Sequence, residues 1–306
     1  MTNYGYCCIN TTLKKKSNTY IGRSMIKKTF LERGIQYAGE LAEANCRDMI
    51  KIIEWNEANG IKLYRMSSDM FPWMSEYELS DLPNFSVIAE LLAEAGSLAQ
   101  SYGQRLTFHP GPFSVLASST PHVVKNTIKD LNQHGEIMDL MGLPRTPHAA
   151  INIHVNTTAP NKEDAMTRFC ANFWLLNPAV RTRLVVENDD TEKQYTVEDL
   201  HGTVYAKIGI PITFDYHHHW CHPGELTQEE ALKLAATTWR SAKQLVHFSS
   251  CKQIHEDASQ TNKRAHADYI YEYINDYGLD LDVEVEAKAK ELAVQKYLEQ
   301  YVMHTV

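Results

Sequence analysis

The sequence lacks the features of membrane and secreted proteins. No run of about 18 apolar residues is present, which excludes a membrane-spanning helix. The first residues, MTNYGYCCINTTLKKK, contain no apolar stretch of the kind found in secretory signals. The six cysteines form no CxxC pair, which is typical of free thiols. We therefore expect an intracellular protein, cytoplasmic in a prokaryote or archaeon and nuclear in a eukaryote, with no membrane contact and no obligatory protein partner.

The chain also lacks an excess of positive charge. It has 30 Lys and Arg against 38 Asp and Glu, a net charge of −8, and this balance argues against a generic nucleic-acid binder. The argument weakens if bound divalent metals neutralise some of the carboxylates. A basic stretch near the N-terminus fits either a solvated loop or a nucleic-acid contact: Lys14, Lys15, Lys16, Arg23, Lys27 and Lys28.

No Gly/Ser linker, low-complexity tract or composition break divides the chain, so residues 1–306 are expected to form one domain. β-rich runs are predicted at Tyr4–Ile9, Ile61–Met66, Leu106–His109, Ala150–Val155, Leu184–Glu187, Ile212–Tyr216, Leu245–Phe248 and Leu281–Val285. Helix-like stretches follow them at Glu32–Glu57, Asn84–Tyr102, Pro121–Met141, Lys162–Leu176, Val197–Ile208, Gln228–Lys243, His266–Tyr277 and Ala287–Tyr301. Eight βα units predict an α/β fold of the (β/α)₈ TIM-barrel class.

Two local patterns support this organisation. The turn after the first strand, CCINTT, has no GxGxxG, which argues against a dinucleotide-binding sheet. Helix starts are marked by a capping box at Thr227 with Glu230 and by weaker carboxylate variants at Asn161–Asp164 and Thr196–Asp199.

Ionisable side chains stand where the predicted strands end. Barrel enzymes place their sites at this end of the strands. The residues are His109, His154, Glu187, Asp215, His217, His218, His219, His247, Glu284 and Glu286. Burying so many of them would cost several kcal/mol per uncompensated charge. Divalent ions remove that cost, and imidazole with carboxylate suits Zn²⁺, Mn²⁺ or Fe²⁺.

Side-chain alternation adds detail to this metal site. In AINIHVN, Ile151 and Ile153 should face the helices and His154 the barrel axis. Glu284 and Glu286 share one face, so alternation alone does not choose between them. His266 is predicted to open a helix that faces the same rim. Four other histidines are expected at the surface or in caps: His122, His134, His201 and His304.

The chain contains, in this order, the motifs YGYCCIN, YRMSSDMFPW, FHPGPF, INIHV, VVENDD, TFDYHHH, VHFSS, RAHAD and VEAKAKE. Together they resemble the UV damage endonuclease family, a relative of endonuclease IV, along nearly the whole chain. The resemblance implies a barrel with two or three divalent ions, Mn²⁺ first and Zn²⁺ as the alternative. It places metal ligands at His109, His154, Glu187, Asp215, His218, His247, His266 and Glu286. It also places Tyr6 and Asn10 near the lesion and the scissile phosphate.

Three positions depart from the family pattern. Glu76 stands where the family usually has a histidine, and as a carboxylate it remains a candidate ligand. Pro112 replaces a glutamine that probes the distorted duplex, while the adjoining aromatic wedge is kept as Phe113. Leu245 replaces a lysine. These changes affect lesion range and metal occupancy more than the type of reaction.

The resemblance implies a metal-dependent nuclease that cuts damaged double-stranded DNA immediately 5′ of UV photoproducts and abasic sites, leaving a 3′-hydroxyl and a 5′-phosphate, with Glu187, Tyr6 and Asn10 at the reaction centre. Two alternatives stay open. A metal-dependent sugar isomerase would share the barrel and its His/Glu/Asp rim, but the basic segment from Lys14 to Lys28 argues against it. A catalytically impaired DNA-binding relative would keep Phe113 but lose ligands.

Overall fold

The computed structural model describes residues 2–240 and 242–302, which form a closed barrel of eight parallel strands in sequence order. The strands are β1 (Asn3–Cys7), β2 (Leu63–Met66), β3 (Arg105–Phe108), β4 (Ile151–Ile153), β5 (Leu184–Glu187), β6 (Ile212–Asp215), β7 (Gln244–Phe248) and β8 (Leu281–Val285). Pairing of β1 with β8 closes the barrel. The predicted fold class is confirmed. The assignment of all 306 residues to one domain stays a prediction.

Helices surround this barrel and also form parts of its loops. They are α1 (Thr11–Ser17), α2 (Lys27–Ala58), α3 (Phe85–Ser101), α4 (Pro121–Leu140), α5 (Lys162–Phe173), α6 (Pro178–Arg181), α7 (Val197–Leu200), α8 (Ala206–Ile208), α9 (Tyr216–Cys221), α10 (Gln228–Ala236), α11 (Lys252–His255) and α12 (Glu291–Tyr297). Short 3₁₀ turns lie at Met74–Glu76 and Leu79–Asp81, and wider π-helical turns at His201–Tyr205 and Leu298–Val302.

Local sequence signals explain several helix starts. The Thr227 hydroxyl accepts a hydrogen bond from the Glu230 amide, and the Glu230 carboxylate accepts one from the Thr227 amide, which completes a capping box. Asn161 and Thr196 also cap their helices, as predicted. The helix predicted from Glu32 starts earlier, at Lys27, because two helical runs meet at Gly34, where φ is +64°.

One predicted helix, His266–Tyr277, is wrong. This segment instead runs as an irregular chain over the barrel rim. Its backbone groups bond to neighbouring loops: the Ala267 amide donates to the Ser250 carbonyl and the Lys288 amide donates to the Ala267 carbonyl. His266 therefore lies in a bridge with Cys251 and does not open a helix.

The remaining histidines are divided between surface and core. His122 is exposed, as expected. His134 is buried against the Phe108 ring, and its Nδ1 lies 2.9 Å from the Asp130 carbonyl oxygen, so its predicted surface position is wrong. His304 lies outside the described residues.

Candidate metal centre

The parallel order of the strands brings their C-terminal ends to one mouth, and the predicted ionisable residues meet there. Glu187 and Asp215 end β5 and β6, and His247 lies inside β7. His109 and His154 come directly after β3 and β4. The polar side chains therefore converge because of the topology, although they are far apart in the sequence.

Two groups of side chains have the spacing needed to hold a metal ion. His109, His154 and Glu187 form one group, and Glu187, Asp215 and His247 form the other. Within each group the ligand atoms lie within 4.8 Å of one another. Glu187 belongs to both groups, because its Oε2 lies 3.0 Å from His109 Nε2, 3.6 Å from His154 Nε2 and 3.2 Å from His247 Nδ1.

Three imidazoles are held in the same orientation by backbone carbonyls. The His109 Nδ1 lies 3.1 Å from the carbonyl oxygen of Pro110. The His218 Nδ1 lies 2.9 Å from the carbonyl oxygen of Asn188, and the His266 Nδ1 lies 3.1 Å from that of Glu286. A carbonyl can only accept, so Nδ1 donates in each of these contacts. His109 turns Nε2 towards Glu187, 3.0 Å away, whereas His218 also places Nδ1 3.2 Å from Glu187.

Carboxylates lie beside both ring nitrogens of two further imidazoles. His154 places Nδ1 3.0 Å from Asp189 and turns Nε2 towards Glu187, 3.6 Å away. His247 has the opposite orientation, with Nε2 3.0 Å from Glu284 and Nδ1 3.2 Å from Glu187. Each ring thus lies between two carboxylates, one of which is Glu187.

Several buried atoms at this centre have no hydrogen-bond partner among the described residues. They include Oδ2 of Asp215 and both ring nitrogens of His247, which lie close to carboxylate oxygens without being aligned for hydrogen bonds. Unpaired buried polar atoms are costly in a folded protein. A cation with imidazole and carboxylate ligands would satisfy them, so the donor set fits a divalent metal ion.

The electrostatics of the centre agree with this interpretation. Burial disfavours both charged forms, but neighbouring carboxylates outweigh it and raise the pKa of His218 and His247 well above the usual range. His247 and His154 likewise outweigh the effect of burial on Glu187 and hold the pKa of its carboxyl well below the usual range. The surroundings therefore favour an anionic Glu187 with positive charge beside it.

Arg65 adds a cation to the mouth that sequence patterns did not reveal. Its guanidinium forms an ion pair with Glu286 and lies 3.5 Å from Glu284. Glu284 lies deeper, hydrogen-bonded by Thr107 and paired with His247, whereas Glu286 lines the open cavity. Although burial opposes it, Arg65 helps hold the pKa of Glu286 well below the usual range. Its position at the end of the predicted second strand was the available signal.

The sequence as a whole matches one protein family. The description of that family is UV-endonuclease UvdE, and the match covers residues 2–304. The chain belongs to the UvdE family.

Curated UvdE-family relatives share about a third of their aligned residues with this chain. The UV-damage endonuclease of Schizosaccharomyces pombe is 33% identical over 97% of the chain and 50% of that protein. The Neurospora crassa enzyme is 34% identical over 88% of the chain and 42% of its own length. A UV DNA damage endonuclease of Bacillus cereus is 32% identical over 84% of the chain and 80% of its length. The chain thus spans about half the length of the fungal relatives.

Solved structures support the barrel fold. The crystal structure of SacUVDE superposes with a TM-score of 0.83 at 25% identity, covering 98% of this chain and 99% of that one. Endonuclease IV from Thermus thermophilus gives 0.54 at 14% identity, covering 97% and 99%. D-Psicose 3-epimerase from Clostridium cellulolyticum gives 0.54 at 13% identity, covering 93% and 84%. The last two show likeness of fold alone.

Tyr6 and Asn10 lie at the end of β1 and in the loop that follows it, and both side chains are buried. Tyr6 is 0% exposed, and its hydroxyl donates to Asn56 Oδ1 at 2.8 Å and accepts from Asn10 Nδ2 at 2.9 Å. The Asn10 Oδ1 accepts the Leu13 amide and caps α1. Both residues thus fix the first loop of this UvdE-family barrel, and their place near the lesion and the scissile phosphate stays a prediction.

Glu76 and Leu245, two of the departures from the family pattern, also lie apart from the two metal groups. Glu76 is exposed in a 3₁₀ turn, where its carboxylate accepts from Ser75. Neither group of metal ligands among the described residues includes it. Leu245 is buried with Leu63 and Val185. An apolar side chain thus fills a barrel position where the family has lysine.

Pro112 and Phe113 lie on the loop that follows His109. Pro112 lines the mouth together with His109 and Arg65. Phe113 is 90% exposed, so it does not anchor the loop in the core. An exposed aromatic side chain beside the site is available to contact a large substrate.

Proposed function

We propose that this chain is a metal-dependent DNA-repair endonuclease that cuts double-stranded DNA immediately 5′ of UV photoproducts and of abasic sites. The observation that carries the proposal is the pair of ligand groups that share Glu187 at the mouth of a UvdE-family barrel. The names of the curated relatives, UV-damage endonucleases of fungi and Bacillus, support the same substrate.

Eight side chains would hold two or three divalent ions, with Mn²⁺ as the first candidate and Zn²⁺ as the alternative. Bound ions would activate a water molecule and stabilise charge on the attacked and leaving oxygens of a phosphodiester. His109, His154 and Glu187 belong to one position, and Asp215 and His247 share Glu187 in the other. Three further candidates complete the rim: His218, His266 and Glu286. Glu76 stays a weaker candidate.

Other residues of the mouth suit a phosphate and a distorted duplex. The Arg65 guanidinium offers a planar set of donors, a geometry that suits phosphate oxygens. The recessed site requires damaged nucleotides to leave the stack, which costs a few kcal/mol and less where pairing is already weak. Phe113, beside Pro112, can fill the resulting gap as an apolar wedge. The cut would leave a 3′-hydroxyl and a 5′-phosphate.

The deciding experiment is a nicking assay on supercoiled plasmid with and without UV irradiation. We expect nicks only in irradiated plasmid, only with Mn²⁺ or Zn²⁺ present, and a 3′ end that a polymerase extends. Epimerisation of a ketohexose with no nicking would instead establish the sugar-isomerase alternative. Tight binding to irradiated DNA without nicking at any metal concentration would establish the catalytically impaired alternative.

A further inference from the structure

Positive charge is segregated in this chain. The first 31 residues contain six Lys and Arg and no Asp or Glu, whereas the remaining residues carry 24 Lys and Arg against 38 Asp and Glu. A polyanion such as duplex DNA is repelled by the negative remainder and attracted by this one segment. The N-terminal segment is therefore the place to search for contacts with the DNA backbone.

The fold places the segment on the side of the mouth. Helix α1 begins four residues after β1 ends, so it lies at the C-terminal end of the barrel strands. In the barrel β1 lies between β2 and β8, whose ends carry Arg65 and Glu286. The loop with Phe113 follows β3, one strand beyond β2. The basic helix and the aromatic loop thus stand on either side of the end of β2.

The six basic side chains differ in how free they are to bind a ligand. Arg23 lies 2.5 Å from Asp48 and stacks on Tyr20, so it serves the fold. Lys28 lies 3.8 Å from Glu32. Within the part of the chain that the structure describes, no carboxylate pairs with the three exposed lysines of α1, Lys14, Lys15 and Lys16. The Lys14 Nζ lies 4.9 Å from the centre of the Tyr20 ring, a contact that leaves the ammonium group exposed to a phosphate.

The helix that carries these lysines is fixed at both ends. Asn10 caps its start, and the Glu291 carboxylate accepts the Thr11 and Thr12 amides at 2.8 and 2.6 Å. At its other end Asn18 adopts a left-handed conformation and donates its amide to the Leu13 and Lys14 carbonyls. A cation cluster on a fixed helix loses less conformational entropy on binding than one on a flexible loop.

We propose that α1 is an anchor for the backbone of duplex DNA, in which Lys14, Lys15 and Lys16 bind phosphates of the undamaged duplex beside the cut. The proposal deepens the proposed function by naming the surface that supplies binding without recognition of damage. Phosphate contacts position a protein on DNA and carry no information about the bases. The Phe113 loop then distinguishes damaged from intact duplex, and α1 supplies affinity for both.

The test replaces Lys14, Lys15 and Lys16 together by Gln. A matched control replaces Lys125, Lys207 and Lys233, three exposed lysines on α4, α8 and α10, and causes the same change in net charge. Both proteins are titrated with one intact duplex and with the same duplex carrying a single photoproduct, at several salt concentrations. Circular dichroism and the melting temperature verify that both remain folded.

We expect the α1 variant to bind both duplexes roughly tenfold to a hundredfold more weakly, with their affinity ratio unchanged. The slope of log K against log salt should become shallower by about 0.9 for each phosphate that the variant no longer binds, up to about 2.7 for three. The control should match the wild type. An α1 variant whose affinity and salt slope equal those of the control would overturn the anchor.

The plasmid assay separates this inference from the proposed function. If the wild type nicks irradiated plasmid and the α1 variant binds like the control, the endonuclease proposal stands and the anchor is wrong. If the wild type binds intact duplex through α1 but nicks no plasmid, the anchor stands and the endonuclease proposal is wrong. A wild type that binds neither duplex overturns the anchor directly.

Discussion

Both ends of the barrel interior contain buried charges, but the two ends differ in how completely those charges are paired. At the N-terminal end, Arg105 donates to the Pro147, His148 and Lys243 carbonyls at 2.7–2.9 Å and to Asp282 at 2.9 Å. The mouth instead contains Asp215 and His247, with buried polar atoms that lack hydrogen-bond partners among the described residues. The same barrel thus pairs its charges fully at one end and incompletely at the other.

This difference separates stability from function. A buried charge whose donors are all paired contributes to the fold, and removing its partner costs several kcal/mol. A buried ionisable group that is left incompletely paired needs an explanation, and a bound ion at a functional site is one. A change at the mouth should therefore affect mainly nicking, and a change at the N-terminal end should affect mainly stability.

Removal of divalent metal should have the largest effect and should act at the mouth. We expect nicking to cease, because the ligand groups around Glu187 would lose the charge that compensates them. The melting temperature should fall by about 5–10 °C, since an ion at a hundred times its Kd adds about 2.7 kcal/mol and each kcal/mol is worth about 2–4 °C. Calorimetry after dialysis against EDTA measures this shift. Full nicking in excess chelator would contradict the prediction.

Glu187→Gln should abolish cutting while leaving the barrel folded. The amide keeps the size of the side chain but loses the anionic oxygens that both ligand groups share, so nicking should fall more than about a hundredfold. Glu192→Gln, at an exposed position five residues further along the chain, is the matched control. Single-turnover nicking rates and metal content give the measurement. A rate within tenfold of the wild type would place Glu187 outside the reaction centre.

Asp282→Ala should lower the stability of the barrel and leave cutting intact, which is the reverse of the effect expected for Glu187→Gln. It leaves the buried Arg105 guanidinium without its carboxylate partner, and we expect the free energy of unfolding to fall by about 3–5 kcal/mol. The folded fraction should still bind metal and cut DNA. Urea denaturation measures the loss. Unchanged stability together with a loss of nicking would contradict the assignment of stability to the N-terminal end of the barrel and of function to the mouth.

Phe113→Ala should have the smallest effect, confined to discrimination between substrates. Loss of an aromatic wedge is worth about 1–3 kcal/mol, so affinity for damaged duplex should fall by about fivefold to 150-fold. Affinity for intact duplex should hardly change, since it depends on phosphate contacts. Because the side chain is 90% exposed, the melting temperature should also stay constant. Gel-shift titrations test the ratio, and an unchanged ratio would exclude the wedge.

Strand ends are the part of the molecule that the sequence predicts best. Apolar runs that finish on His, Glu or Asp indicate both the barrel and the convergence of residues such as His109, Glu187 and Asp215, because parallel strands bring their ends together. The inward direction of His154 follows from side-chain alternation, and it is confirmed by its contacts with Glu187 and Asp189.

Interactions between distant segments account for what the sequence did not predict. The sequence predicts a helix at 266–277, but the backbone of this segment bonds to the loops after β7 and β8. Tyr6 belongs to a family motif, yet its hydroxyl is bound by Asn56 of α2. Glu284 and Glu286 are distinguished only by their neighbours in the barrel: Glu284 lies deeper, beside Thr107 and His247, and Glu286 forms an ion pair with Arg65 at the open cavity. Such pairings depend on tertiary structure and leave no periodic signal.

The sharing of Glu187 between the two ligand groups has a consequence for how the centre fills. If cations filled both groups, each would draw on the same carboxylate and the two would repel each other across it. Filling of the second position would then be weaker than filling of the first, and at limiting metal concentration a singly loaded form is expected.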